Sequence, residues 1–123
     1  MMTAQNTTSA EADEADDVLR FCPTYERALA ILERRWMGLV LRALIGHPRR
    51  FNEILAAVPG ITDTLLTQRL RELEANRLVE RRVLAGPPVR VEYELTEAGR
   101  DLERVLREIA AWAHRWLPTE STG

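Results

Sequence analysis

The sequence predicts a mainly helical domain with one small β-hairpin, an α+β arrangement. Two observations predict this fold class. Apolar residues recur at intervals of three and four, or form short apolar runs, in five segments between residues 24 and 117, as expected for helices packed on a core. Between residues 79 and 95 the period changes to two residues, which indicates paired β-strands.

The first 17 residues differ from the rest of the 123-residue chain. They are polar and acidic without periodicity, so we expect a disordered arm over 1–17 and a single domain over 18–123. The net charge is −2, but five acids lie in the arm, which leaves 14 acids and 17 arginines in the remainder. Because no segment suits a signal peptide or a membrane span, we expect a cytoplasmic protein that does not bind membranes.

Cys22 is the only cysteine, and it stands before Pro23 and a short helix predicted over 24–32. A single thiol excludes both an internal disulfide and a Cys-x-x-Cys metal site. Two interpretations remain for Cys22. It is either a buried, unreactive thiol or a reactive sensor that pairs across a dimer.

After the central core helix, the chain has the spacing of helix, tight turn and helix that is typical of a helix-turn-helix. Residues 36–45 are almost wholly apolar and predict the central helix of the core, which ends before Gly46. A short strand-like segment over 49–51 and a second helix over 52–58 follow. The Pro59–Gly60 turn then leads into a third helix.

The third helix, predicted over 60–75, has two different faces. Thr62 is placed to cap its start, and Asn76 to end it in the left-handed conformation. The apolar face consists of Leu66, Leu70 and Leu73. The other face has hydroxyl, amide and guanidinium groups, which reach base edges and phosphates in a major groove, although they also suit a solvated surface. The candidate DNA-contacting residues are Thr62, Asp63, Thr64, Thr67, Gln68 and Arg71.

Alternating segments over 79–84 and 89–95 predict a hairpin, because Ala85–Pro88 between them cannot continue either strand. The charged residues of the hairpin are Arg81, Arg82, Arg90, Glu80, Glu92 and Glu94. A basic hairpin directly after a DNA-reading helix is typical of a winged helix, where the arginines bind phosphate or the minor groove. The alternative is a solvated hairpin whose glutamates balance its arginines.

A long final helix is predicted from Thr96, its cap, to Leu117. Its apolar stripe consists of Leu102, Val105, Leu106, Ile109, Trp112, Ala113 and Trp116. One domain of this size has little core left to cover so long a stripe, so we expect it to pack against the partner's copy in a homodimer. A cofactor pocket around the tryptophans is the alternative.

The motifs and their order resemble the HxlR family of bacterial transcriptional regulators over residues 21–117. They are Cys22–Pro23, Trp36, Arg50–Leu55, Pro59–Thr62, Leu66–Glu74, Leu78–Val79 and Pro87–Gly99. The resemblance implies a winged helix-turn-helix homodimer, joined by its N- and C-terminal helices, that binds double-stranded DNA at a palindromic operator. It also implies that the cysteine matching Cys22 senses electrophiles or oxidants in some members.

Two positions depart from the family pattern. Glu33–Arg35 stand where members commonly have Gly-Lys before the tryptophan, which argues against the family's usual turn there. Thr64 stands where Arg or Lys is frequent, which predicts a different or weaker base contact.

The predicted function is therefore a DNA-binding transcriptional regulator that uses no cofactor and responds to an electrophile, an oxidant or a small-molecule effector. The alternative is a winged-helix interaction module that has lost DNA binding, which the acidic arm favours. No metal site or enzyme is expected, because His47 and His114 have no companion ligand or base and no nucleophile, carboxylate pair or phosphate-binding glycine loop is present.

Overall fold

The computed structural model describes residues 22–119 of the chain. The predicted acidic arm over 1–17 lies outside the described residues. The chain divides after Arg34 into two compact units.

The described part of the first unit contains one helix, α1 (Pro23–Leu32). Pro23 occupies the first helical position, where a missing N–H leaves no bond unmade. The Cys22 Sγ caps the helix by accepting the Tyr25 N–H at 3.4 Å. None of the residues of α1 is buried. This helix confirms the predicted one and begins one residue earlier.

The second unit begins with α2 (Met37–Ala43), which is shorter than the helix predicted over 36–45. Trp36 stands before it in the left-handed conformation, with a φ of 74°, and so lies outside the helix. At the other end, Leu44 donates to the Leu41 carbonyl three residues back, and this tighter turn ends the helix. The predicted central helix is therefore present, but its predicted ends are wrong.

A two-residue strand, β1 (Arg49–Arg50), leads directly into α3 (Phe51–Ala57). The Glu53 carboxylate accepts the Arg50 N–H at 2.7 Å, which satisfies a donor at the start of α3. This hydrogen bond holds the pKa of Glu53 below its ordinary value. Phe51, predicted as part of the strand, instead begins the helix.

The helix predicted over 60–75 is α4 (Asp63–Ala75), which begins three residues later than that range and directly after the predicted cap. The Thr62 hydroxyl accepts the Leu65 N–H at 3.1 Å and caps the helix. Asp63 in the first turn places a negative charge near the positive end of the helix dipole. The start of α4 is therefore fixed by residues that the sequence identifies.

The end of α4 corrects the prediction for Asn76. Asn76 has a φ of −88°, and the left-handed residue is Arg77, with a φ of 59°. Leu78 donates to the Leu73 carbonyl and Arg77 to the Glu74 carbonyl, both at 2.9 Å. This pair of bonds is a Schellman motif, in which the left-handed residue stands one place beyond the cap.

Arg77→Gly is expected to raise the free energy of unfolding by about 0.5–1 kcal/mol, because glycine adopts a positive φ without the steric cost of a Cβ. Chemical denaturation at fixed protein concentration measures this. Arg77→Ala is the matched control, since it removes the side chain but keeps the Cβ. Equal stability of the two variants would show that the strain at Arg77 is negligible.

The predicted hairpin consists of β2 (Val79–Leu84) and β3 (Arg90–Leu95). With β1 it forms a three-stranded antiparallel sheet in the order β1-β3-β2. Val79 pairs with Leu95 at the base, and Leu84 pairs with Arg90 at the tip. Val89, predicted as the first residue of the second strand, lies outside β3 and is 65% exposed.

The final helix, α5 (Glu97–Trp116), begins at the predicted cap. The Thr96 hydroxyl accepts the Gly99 N–H at 3.2 Å. Gly99 is buried, and an added Cβ there would overlap the Leu78 carbonyl. Glycine at this position therefore lets α5 begin directly against the segment that follows α4.

The core of the second unit lies between its helices and the base of the hairpin. Its most buried apolar residues are Met37, Val40, Leu41, Leu44, Ile54, Val58, Leu66, Leu70, Leu73, Val79 and Leu95. The three leucines of α4 belong to this core, so that helix is held by one face and exposes the other.

Candidate nucleic-acid interface

The exposed side of α4 is the candidate DNA-reading face, defined as Thr62, Asp63, Thr64, Thr67, Gln68 and Arg71. All of these residues are exposed except Thr67, which is half-buried. Leu66, Leu70 and Leu73 on the other side are at most 1% exposed. The division of the helix into an apolar and a polar face is therefore confirmed.

Two hydroxyls of the reading face already have partners within the helix. Thr62 serves as the cap, and the Thr67 hydroxyl donates to the Asp63 carbonyl at 2.8 Å. Within residues 22–119, by contrast, the side chains of Gln68 and Arg71 make no hydrogen bond or ion pair. Their amide and guanidinium groups are therefore free to bind an external partner, and they are the strongest candidates for base contact.

Arg69 is a buried arginine that is not among the predicted site residues. It is 5% exposed, and its Nε donates to the backbone carbonyl of Arg35 at 2.9 Å. A second guanidinium nitrogen pairs with the Glu72 carboxylate at 2.9 Å. Helical spacing contains a signal for its burial, since position 69 lies between the core positions 66 and 73.

The hairpin of β2 and β3 is the wing of the candidate site, and its three arginines do not share one face. Arg82 stands opposite Glu92, and Arg90 stands opposite Leu84. Arg81 alternates to the other face, where it stands opposite Tyr93. The prediction of the two hairpin strands is confirmed except at Val89, and alternation places the adjacent Arg81 and Arg82 on opposite faces.

The three arginines of the wing also differ in how free they are to bind DNA. Arg82 forms an ion pair with Glu94 at 3.0 Å. Arg81 and Arg90 are exposed, and neither has an ion pair within the described residues. Glu80 lies opposite Glu94 on the face that Arg82 and Arg90 share. The unpaired arginines at positions 81 and 90 are therefore the better candidates for phosphate contact.

The predicted interface stripe is largely uncovered in the single chain. Leu102, Leu106 and Ala113 are half-buried, whereas Val105, Ile109, Trp112 and Trp116 are exposed. The two tryptophans are 58% and 67% exposed, respectively. Large aromatic side chains in a continuous exposed stripe are typical of a protein–protein contact.

Cys22 is a free, half-buried thiol whose sulfur accepts the Tyr25 N–H. Residues 22–119 contain no group of three or more His, Cys, Asp or Glu side chains arranged to hold a metal ion. In the same part of the chain, no helix combines the length and hydropathy that crossing a bilayer requires.

The comparison with known sequences identifies transcriptional regulators. A family model described as HxlR-like helix-turn-helix matches residues 31–121. The HTH-type transcriptional regulator YodB of Bacillus subtilis (strain 168) is 45% identical over 101 residues, which are 82% of this chain and 90% of YodB.

Solved structures show the same similarity. The reduced form of YodB from B. subtilis superposes with a TM-score of 0.73 at 44% identity, covering 79% of this chain and 95% of that one. The diamide-treated form of YodB superposes with a TM-score of 0.69 at 43% identity, covering 81% of this chain and 99% of that one. The redox regulator HypR in its reduced form superposes with a TM-score of 0.70 at 38% identity, covering 75% of this chain and 91% of that one.

Proposed function

The chain belongs to the HxlR-like helix-turn-helix family of transcriptional regulators, and from this premise we propose that it binds a palindromic operator as a homodimer. In this proposal the protein works in the cytoplasm, α4 of each subunit enters a major groove, and the wing contacts the neighbouring backbone. Fold and family agree on a DNA-binding regulator. The operator geometry and the roles of single residues are the proposed parts.

The observation that supports the proposal best is the unpaired state of Gln68 and Arg71 on the exposed side of α4. An α-helix with its side chains is about 10–12 Å in diameter, so α4 fits a major groove about 12 Å wide, and its 13 residues extend about 20 Å along the helix axis. Arginine forms bidentate contacts with guanine, and glutamine forms them with adenine. Both side chains are therefore suited to distinguish base pairs.

The exposed stripe of α5 supports the dimer. Two reading helices bind successive major grooves only if their separation is fixed at about 34–36 Å. A long, rigid helix with Trp112 and Trp116 near its end provides an anchor for such a fixed pair. We infer that α5 packs on the partner's copy and that the N-terminal helix α1 contributes to the same dimer.

The direct test is titration of a fluorescent DNA fragment from the promoter next to the gene, at several salt concentrations. Preferential binding to an inverted repeat, with affinity falling linearly on a log–log salt plot, is expected. An interaction module that has lost DNA binding would show equal, weak binding to the promoter and to random DNA.

The wing arginines are expected to differ in their contributions. Arg90→Ala and Arg81→Ala should each weaken binding to operator and random DNA alike and lower the salt slope by about one, because each loses a phosphate contact. Arg82→Ala should change the slope less, since Arg82 is already paired with Glu94. A larger slope change for Arg82→Ala than for Arg90→Ala would contradict this order.

Redox sensing through Cys22 is the proposed regulation. Its support is the similarity to YodB, solved in diamide-treated and quinone-bound forms, and to HypR, solved in reduced and oxidised forms. The Cys22 sulfur also caps α1, so its modification would remove the acceptor at the start of that helix. Alkylation by a quinone, or oxidation by diamide to a disulfide with a second chain, is therefore expected to alter operator affinity.

The test compares the wild type with Cys22→Ser. The variant should bind the operator normally and ignore both reagents, whereas the wild type should change affinity by about tenfold or more, as is common for allosteric coupling. A native thiol that resists a thiol reagent until the protein unfolds would contradict the proposal. The signal would then be a non-covalent effector.

A further inference from the structure

Arg69 joins the DNA-reading helix to a distant part of the chain. It lies on α4, next to the exposed Gln68, yet it is buried and points away from the reading face. Its Nε donates at 2.9 Å to the backbone carbonyl of Arg35, which lies 34 residues earlier in the turn before α2. A buried arginine is costly unless its donors are satisfied. The buried Arg69 guanidinium therefore serves to bind the Arg35 carbonyl and the Glu72 carboxylate.

Trp36, the residue after Arg35, packs against the turn that precedes α4. Trp36 has a φ of 74°, and its ring packs so closely on Gly60 that an added Cβ there would lie 3.1 Å from the Cη2 atom. The Arg35 guanidinium stands 5.2 Å from the centre of the Trp36 ring, which supports that placement. The buried Trp36 Nε1 has no acceptor within the described residues, so packing rather than a hydrogen bond places the ring.

The turn at residues 35–36 thus meets the reading helix at two separated places. One is Gly60, two residues before the cap of α4, and the other is Arg69, within the helix. Position 69 is about 10 Å along the axis from the cap at Thr62. The core leucines of α4 hold its buried face, and two further anchors at this separation restrict the remaining freedom of the helix to tilt and rotate on the core.

We propose that the Arg35–Trp36 turn is a positioning clamp for the reading helix and that Arg69 is a positioning residue for base recognition. This inference rests on the proposed DNA-binding function. Base contacts require side chains held to within about 0.5 Å, whereas phosphate contacts carry no sequence information and tolerate displacement. Loosening the clamp therefore reduces discrimination between operator and random DNA more than it reduces general affinity.

The test measures the ratio of operator to random-DNA affinity and the salt slope for Arg69→Met. Methionine has a similar reach but no donor for the Arg35 carbonyl. Arg104→Met is the matched control, since it removes an exposed arginine that pairs with Asp101 at the same i,i+3 spacing. Circular dichroism fixes a temperature at which both variants are folded. The expected result for Arg69→Met is a ratio lower by at least about fivefold, the discrimination lost with one base contact, at an unchanged salt slope.

Two further variants keep the test decisive if Arg69→Met does not fold. Arg69→Lys retains one donor and is expected to restore part of the lost ratio. Trp36→Phe loosens only the second anchor and is expected to lower the ratio in the same direction. A wild-type ratio in folded Arg69→Met, Arg69→Lys and Trp36→Phe would overturn the clamp.

The remaining outcomes separate this inference from the function on which it rests. Equal losses on both DNAs with a salt slope lower by about one would mean that Arg69 itself contacts phosphate, which overturns its positioning role. A wild type with no preference for any operator would overturn the proposed function, and the clamp with it. A selective wild type with equally selective variants overturns the clamp alone.

Discussion

Replacing Trp112 and Trp116 together with alanine is expected to release a monomer and to lower operator affinity by at least about a hundredfold. Both side chains are exposed in the single chain, and large aromatic anchors commonly contribute several kcal/mol to an interface. A two-fold interface loses each anchor twice. Without the dimer, the second half-site no longer benefits from effective concentration, which is commonly worth a factor of about 10²–10⁴.

Light scattering and sedimentation give the mass, and anisotropy titration gives the affinity. The matched control is the double variant Arg107→Ala and His114→Ala, which changes exposed residues on the opposite side of α5. That control should remain a dimer. A wild-type chain that sediments as a monomer at micromolar concentration would refute the dimer role of α5.

The second large effect is expected on the reading face. Gln68→Ala or Arg71→Ala should each cost about 1–3 kcal/mol at the operator, because each side chain is exposed, unpaired and suited to bidentate base contact. Gln68→Ala should hardly change binding to random DNA. Equal losses on operator and random DNA for Gln68→Ala would exclude a base contact.

Much of this interface is predictable because local rules decide it. The spacing of Leu66, Leu70 and Leu73 fixes which side of α4 is buried, and the opposite side follows without knowledge of the rest of the chain. Thr62 and Thr96 cap the helices that they are predicted to cap. Caps and apolar periodicity depend on residues that are close together in the sequence, so they can be predicted from the sequence alone.

The features that were not predicted depend on residues far apart in the sequence or on backbone conformations that the residue types disfavour. Asn76 is the better left-handed residue by propensity, but the hydrogen bonds at the end of α4 place Arg77 in that conformation. Trp36 adopts a positive φ that aromatic residues rarely take. Its packing on Gly60, and the contact of Arg69 with Arg35, join residues more than 20 positions apart.

The arginines of the wing are a further case in which the structure depends on residues that are separated in the sequence. Alternation alone places the adjacent Arg81 and Arg82 on opposite faces. Which of those faces Arg90 shares depends on the register of the two strands, and that register depends on which residues form the turn. In the structure, β3 begins at Arg90. Arg82 therefore stands across from Glu92 and bonds diagonally to Glu94, which lowers its availability to DNA.

Selection of binding sites from a pool of random duplexes by the wild-type protein tests the central claim most directly. The expected result is one enriched inverted repeat, with half-site centres about 34–36 Å apart, bound by two chains. Its half-sites should lose their enrichment when Gln68→Ala is used for selection. A wild-type pool without an enriched sequence, or with a single half-site bound by one chain, would contradict a homodimer that reads a palindromic operator.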